Sequence, residues 1–313
     1  MKKLTRSECA GILRTHDNFA IVTHRRPDGD TVGSAATLCM GLRQLGKNAH
    51  ILKNPEITPK YAPLHHGLTK EQAEEGDFVL TVDVASGNML PDCFKELTFD
   101  LRIDHHGSAT SFTPVELVEP GAAACGEIVY RVLTEMGAEL DIPMANALYT
   151  AISTDTGCFR YANTTSDTFA VAAACAKAGA EVFQINQALF ETNSLARLQV
   201  QSWMLRNARF LQDGQVAICP LPKAVEEQFG AKEDDLDNIS GFPRTIEGVK
   251  LAVTIREEGT EKVKMSVRAV PGQDAAALCA KFGGGGHKGA AGASMNLTMD
   301  QAVEAVIAAL PTV

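Results

Sequence analysis

"IVTHRRPDGD", residues 21–30, passes from an apolar, β-branched run to an imidazole and two carboxylates. With Phe19 and Ala20 before it, the run "FAIVT" (19–23) reads as a short buried strand of the kind that builds parallel sheets. His24, Asp28 and Asp30 then stand just past a strand's carboxyl end, where open parallel sheets form their sites. Like charges that close repel, so something positive belongs between them. Two acids two residues apart do not share a helical face. On a loop shaped by Pro27 and Gly29, both can face inward.

The same pattern repeats downstream. "TVGSAATLCMGLRQLG" (31–46) has helical periodicity with Gly46 as its stop, and "NAHIL" (48–52) reads as a strand. "DFVLTVDVAS" (77–86) and "FDLRIDHHGS" (99–108) are apolar runs ending in acids, His or Ser. "AAACGEIVYRVLTEMG" (122–137), "MANALYTAISTDTG" (144–157) and "SDTFAVAAACAKAGA" (166–180) look helical. Strands alternating with helices give the α/β class and a three-layer domain, its parallel sheet covered on both faces. "SLARLQVQSWMLRNARFL" (194–211) reads as a long amphipathic helix that connects two domains. From 214 the pattern restarts: strand "QVAICPL", helix "KAVEEQF", strands "KLAVTIRE" and "KVKMSVRAV", then a helix and a glycine-rich turn. The charged, alternating strands suggest a smaller α/β unit with one solvated face. The expected domains are residues 1–190 and 214–313, with a helical linker over 191–213.

A chain of 313 residues is too long for one small core. The formal charge of −9 argues against long nucleic acid, duplex above all, as a non-specific partner, because backbone binding needs a broad basic surface. A small anionic substrate remains compatible, since bound cations reverse the field of an acidic pocket. The eight cysteines are scattered without a C-x-x-C pair, and no apolar run approaches a membrane span or a signal peptide. A reduced, cytoplasmic protein without membrane attachment is expected, and its assembly is left open, a homodimer included.

Chemistry concentrates in four clusters: His24/Asp28/Asp30, Asp83, Asp104-His105-His106 and Asp155. Each has an ordinary reading taken alone. An Asp after a strand usually caps the next helix, "PDGD" is usually a turn, and a glycine run is usually a flexible hairpin. Independent caps and turns do not account for His with Asp at several strand ends. Carboxylates with a few imidazoles and no thiolate suit a divalent ion such as manganese or magnesium, and so many donors suit two ions. Near the end, Gly284, Gly285 and Gly286 let backbone approach an anion, with His287 and Arg268 as charged donors. Ser266 and Arg268 alternate onto one strand face, while Lys288 is read as a solvated surface lysine.

"THRRPDGD", "VDVAS", "IDHHGS" and "STDTG", in that order, resemble the four motifs of the DHH phosphoesterase superfamily. "FGGGGHKGAAGASM" (282–295) is similar to the glycine-rich His motif of the DHH-associated C-terminal domain. The layout most resembles the nanoRNase/pAp phosphatase group, although Arg25 and Arg26 stand where the first motif is variable. The resemblance implies hydrolysis of short oligoribonucleotides or 3′-phosphoadenosine 5′-phosphate. It also implies two divalent ions, with manganese preferred for its tolerance of imidazole and magnesium the other choice. By resemblance, His24 and Asp28 hold one ion, Asp30, His105 and Asp155 hold the other, and Asp83 bridges them. Asp104 orients an imidazole, and His106 reaches the phosphate. Ser266, Arg268, the glycines and His287 grip the rest of the substrate, a short single strand or a nucleotide. The alternatives are another small-phosphate hydrolase of the superfamily, acting on cyclic-dinucleotide products, pyrophosphate or polyphosphate, or a silent nucleotide-binding module.

Overall fold

The computed structural model describes residues 2–107 and 110–311; Ser108, in the third motif, lies outside them, as do Met1, Ala109, Thr312 and Val313. The chain divides into two units, Met1–Thr192 and Asn193–Val313, each built on its own sheet.

The first unit opens with β1 (Lys2–Lys3), α1 (Arg6–Thr15), β2 (Phe19–Val22), α2 (Gly29–Gln44) and β3 (Ala49–Leu52). β4 (Thr69–Lys70), β5 (Phe78–Val82), β6 (Leu101–Asp104) and β7 (Val115–Val118) complete a seven-stranded sheet. The unit ends with α3 (Cys125–Met136), α4 (Ile142–Asp155), α5 (Ser166–Lys177) and α6 (Val182–Asn186). The strand order is β1-β7-β6-β5-β2-β3-β4, and every pairing is parallel. The chain runs outward from β2 through β3 and β4, then returns to the other side of β2 as β5. That reversal makes the gap beyond β2 and β5 the topological switch point, where such sheets place their ligands.

β2 shows why both sheet faces are buried. Phe19 and Ile21 join the core under α1, α2 and α3, while Ala20 and Val22 face the opposite core with Val79, Leu90, Phe94 and Phe99. That second face is covered by the short 3₁₀ turns Gly87–Met89 and Asp92–Phe94 rather than by α-helices. The connecting sequence "ASGNMLPDCFKEL" (85–97) explains this, because Gly87 and Pro91 interrupt any helical run. On the helical side, α4 and α5 add a further layer through Ala145, Leu148, Ile152, Val171 and Cys175. α4 lies so close to α2 that a Cβ on Gly33 would stand 2.4 Å from the Ala147 carbonyl oxygen.

His65 supports α2 from below. It is buried, its Nε2 donates to the Val32 carbonyl at 3.1 Å, and burial pushes its pKa down to about 4. The unfolded chain takes up this proton near pH 6.5, whereas the folded one resists it. Stability from this residue is therefore complete above pH 6.5 and lost as pH falls towards 4, by up to about 3 kcal/mol. Urea unfolding of the parent and of His65→Gln at pH 7 and pH 4.5 should show the parent losing more on acidification. Equal losses would contradict this account.

The second unit contains α7 (Leu195–Arg206), β8 (Arg209–Leu211), β9 (Val216–Leu221), α8 (Lys223–Gln228), β10 (Leu251–Gly259) and β11 (Lys262–Ala269). α9 (Ala275–Ala280), β12 (Gly285–Gly286), β13 (Ala290–Met295) and α10 (Met299–Ala309) follow. Its sheet has the order β12-β13-β11-β10-β9-β8, with β9 and β10 parallel and the remaining pairs antiparallel. The helix expected over 194–211 stops at Arg206, and residues 209–211 instead form an edge strand on β9. α7 packs Val200 and Met204 against Cys219, Leu221 and Val225 of this unit. β11 alternates as its sequence suggested, with Val263, Met265 and Val267 buried and Lys264, Ser266 and Arg268 half-buried on the other face. No helix among the described residues is long and apolar enough to cross a membrane, and all eight cysteines are free.

Candidate metal centre

The elements meeting at the switch point each contribute one polar group for a local reason. β2 ends at Val22, and Asn54 beyond β3 holds the next residues by donating to Thr23 Oγ1 (2.9 Å) and the His24 carbonyl (2.8 Å). Asp28 is the N-cap of α2 and accepts from the N–H groups of Asp30 and Thr31 at 3.0 and 3.1 Å. The helix begins two residues earlier than the sequence reading placed it, so Asp30 lies in its first turn. Thr31 Oγ1 donates to the Val82 carbonyl at 3.0 Å, fixing α2 against the end of β5. Asp83 follows with φ +60°, a conformation that non-glycine residues adopt with strain. Asp155 is the last residue of α4, and Gly29 lets α2 reach it: a Cβ there would sit 2.4 Å from Thr154 Oγ1.

These residues converge. His24 Nε2 is 3.6 Å from Asp28 Oδ1 and 3.6 Å from Asp83 Oδ2. His105 Nε2 is 3.3 Å from Asp83 Oδ1 and 3.7 Å from both Asp30 Oδ2 and Asp155 Oδ2. Donor atoms fall into one set from His24, Asp28 and Asp83 and another from Asp30, His105 and Asp155, each within 4.8 Å, and Asp83, His105 and His106 also lie within that span of one another. Asp83 therefore turns one oxygen to each set. Donors of one coordination sphere at ~2.1 Å from an ion stand roughly 3–3.5 Å apart, close to the spacings seen.

The surroundings fit cations as well as the spacing does. His24 and His105 place Nδ1 against the carbonyls of Arg25 (2.8 Å) and Ala122 (3.2 Å), the usual way a ligating imidazole is oriented from behind. Asp83 Oδ1 is buried and accepts no hydrogen bond among the described residues. Burial, with the Asp83, Asp155 and Asp28 charges and against His105, raises the Asp30 pKa well above the usual carboxylate range. Burial lifts Asp155 to about 7, opposed by His105 and reinforced by Asp83 and Asp28. Against the cost of its own burial, His105 is raised to about 11 by Asp83, Asp30 and Asp155, and His24 rises in the same sense beside Asp28 and Asp83. Asp83 moves the other way, since the His105 and His24 imidazoles outweigh its burial and hold it below the usual range. Acids and imidazoles that mostly bind protons too tightly report a field seeking positive charge, which divalent ions supply.

Asp104 Oδ1 accepts from the backbone N–H groups of His105 (2.8 Å) and His106 (3.3 Å) and meets His106 Nδ1 at 2.8 Å. The ring that the sequence reading assigned to substrate is thus oriented by its own motif. In the second unit, Ser266 pairs with Gly292, which pairs in turn with Gly285, and Arg268 pairs with Ala290. Gly284 and Gly286 lie against β13, where added Cβ atoms would stand 2.2 Å from the Gly292 carbonyl oxygen and 2.7 Å from that of Ala290. His287 closes a tight turn with Ala290 through hydrogen bonds of 2.8 and 3.2 Å. The pairing thus brings Ser266 and Arg268 on β11 into the same part of the sheet as Gly285 and Gly286 on β12, with Gly284 and His287 at the two ends of that strand.

Several supporting groups escaped the sequence reading. Asp30 Oδ2 accepts from Cys125 N–H at 2.7 Å, and Oδ1 accepts from Gly126 N–H at 3.1 Å and Ser34 Oγ at 2.9 Å. Ala124 occupies the N-cap of α3 and has no side-chain cap, so Asp30 closes that helix from a distant segment. An uncapped "GAAACGE" before a clear helix was the available signal. Asn163 Nδ2 bonds the carbonyls of Ala123 and Asp155, both at 3.1 Å, linking α3 and α4 beside the cluster.

Known proteins extend the likeness along nearly the whole chain. The family model for the DHH family, N-terminal domain, matches residues 18–152, and that for the DHHA1 domain matches residues 213–312. The bifunctional oligoribonuclease and PAP phosphatase NrnA of Thermus thermophilus is 34% identical over 294 residues, 93% of this chain and 88% of that protein. The Bacillus subtilis protein of the same description is 25% identical over 298 residues, 93% of each chain. An exopolyphosphatase-related protein from Bacteroides fragilis shares the fold, with a TM-score of 0.87 over 97% of this chain and 94% of that one at 24% identity.

Proposed function

The chain belongs to the DHH family, and from that premise we propose that it is a divalent-metal-dependent phosphoesterase. Its substrates are oligoribonucleotides of a few residues, cleaved to mononucleotides, and 3′-phosphoadenosine 5′-phosphate, cleaved to AMP. The observation that carries the reading is Asp83, whose oxygens face different donor sets 3.3 and 3.6 Å away. His24, Asp28 and Asp83 would hold one ion, and Asp30, His105, Asp155 and Asp83 the other. Manganese suits the mixed imidazole and carboxylate donors. The free cysteines accord with a cytoplasmic enzyme.

Bound divalent ions supply an acidified water and neutralise the charge that develops on phosphate oxygens. The chain's own contribution is orientation. Asp104 fixes Nδ1 of His106, so this ring addresses a phosphate oxygen through Nε2. Asn54, Thr31 and Asn163 hold the loops that carry the acids, so little reorganisation is needed when substrate arrives. In the second unit, Arg268 would offer a charged fork to a phosphate, beside glycines that present no side chain to obstruct it.

A chain of net charge −9 has little basic surface for tracking a long strand. Purified protein with manganese should release mononucleotides from a dinucleotide and AMP from 3′-phosphoadenosine 5′-phosphate, with rates falling steeply as the oligonucleotide lengthens. No product with manganese or magnesium would remove the proposal. Equal rates on a dinucleotide and on a long single strand would remove the length preference.

A further inference from the structure

Arg102 is among the largest fully buried side chains of the protein, and it lies directly beneath the acidic cluster on β6, two residues before Asp104. A buried guanidinium is costly unless every direction it faces is answered. Nη2 donates to Glu116 Oε2 on neighbouring β7. Nη1 donates to the carbonyls of Ala85 (3.0 Å) and Thr110 (3.2 Å). Its Cζ lies over the Phe112 ring, 5.5 Å from the centroid, and Nε is left as the guanidinium nitrogen without a hydrogen-bond partner among the described residues.

Those partners are not scattered. Ala85 belongs to the loop that begins at Asp83, and Thr110 to the loop that begins at His105 and His106. Thr110 N–H also donates to the Ala85 carbonyl at 2.8 Å, so one arginine clasps both loops at a shared point. The same Nη1 stands 4.0 Å from Asp104 Oδ2, a buried oxygen that accepts no hydrogen bond among the described residues. The other oxygen of that carboxylate is the one that orients His106. Arg102 is thus the buried cation that faces Asp104 from behind.

We infer that Arg102 is a positioning residue for the hydrolysis proposed above: it holds Asp104 in place from behind, and through Asp104 it sets the His106 ring. It touches neither substrate nor ion. The inference rests on the phosphoesterase reading and adds to it a residue outside all of the motif ligands. A glutamine or methionine at this place fills similar space but leaves Asp104 without a facing cation.

The test is a double-mutant cycle on a dinucleotide with manganese, using Arg102→Met, Asp104→Asn and both together. Arg102→Met is expected to lower kcat about 10- to 100-fold, the usual effect of losing a group that orients an active-site residue, with KM and manganese affinity unchanged. The double variant should be no slower than Asp104→Asn alone, because Arg102 acts through that carboxylate. Losses that multiply in the double variant, or an Arg102→Met protein that melts earlier but keeps its kcat, would overturn the inference. Removing half of a buried ion pair can prevent folding. Arg102→Met/Glu116→Leu removes both charges and keeps the volume filled; a stable protein with low kcat supports the inference, and one with parental kcat refutes it. A parent protein inactive on every short substrate would instead sink the phosphoesterase reading, a different and separately visible failure.

Discussion

Asp83→Asn should abolish manganese-dependent turnover while leaving the fold in place. Asparagine matches aspartate in shape and tolerates the φ of +60° at this position better than alanine would, so the variant isolates the charge. It removes the carboxylate that faces both donor sets, and a neutral amide is a poor bridge between cations. The loss of several kcal/mol of transition-state stabilisation corresponds to roughly a 10³-fold fall in kcat. Titration calorimetry should show the parent taking up a pair of manganese ions and the variant a single ion at most. Near-parental activity or undiminished stoichiometry would contradict the bridging role. Circular dichroism should show the same helix content in both proteins.

A second large effect is expected at the crossing of α2 and α4. Gly33→Ala adds one methyl group, yet its position lies 2.4 Å from the Ala147 carbonyl oxygen, 2.9 Å from the Ala151 amide nitrogen and 3.0 Å from Ala151 Cβ. Two of those atoms are backbone, so α4 has to move as a body. Overpacking of this kind costs about 1–3 kcal/mol, or roughly 3–10 °C of melting temperature for a unit of this size. Because α2 carries Asp28 and Asp30 and α4 ends in Asp155, separation of the helices also pulls the donor sets apart and should weaken manganese binding. Gly11→Ala in α1 is the matched control. Nothing lies within 4 Å of its added methyl, so the better helix former should leave the protein as stable or slightly more so. Calorimetric melting of both variants should give shifts of opposite or clearly unequal size, and similar small shifts would show that the helix crossing has slack.

The central strands and the polar residues after them were legible because each carries its own local signal: a β-branched apolar run, then an acid or imidazole. That sufficed to anticipate a parallel sheet and to name the residues that meet at its switch point. Less visible were β1 and β4, two residues each, which owe their existence to a neighbouring strand rather than to any pattern of their own. Residues 209–211 were absorbed into the α7 helix because Phe210 and Leu211 continue its apolar spacing, and only pairing with β9 decides against it. Asp28, in a stretch whose ordinary reading was a turn, instead caps a helix and faces His24 as well. Arg102 lay hidden within "FDLRID", since a cation in a buried strand acquires meaning only when its partners, from Ala85 to Glu116, are brought around it.

Asp30 belongs to two structures at once, the cluster of acids and imidazoles and the start of α3. A lineage that no longer needed turnover could discard His24 or Asp155 and keep its helices in register, whereas discarding Asp30 would fray one of them. On this geometry the acid at position 30 would be kept by architecture even where chemistry had lapsed. In a degenerate descendant it would testify to an intact scaffold, and the residues to inspect for a living enzyme would be the other two.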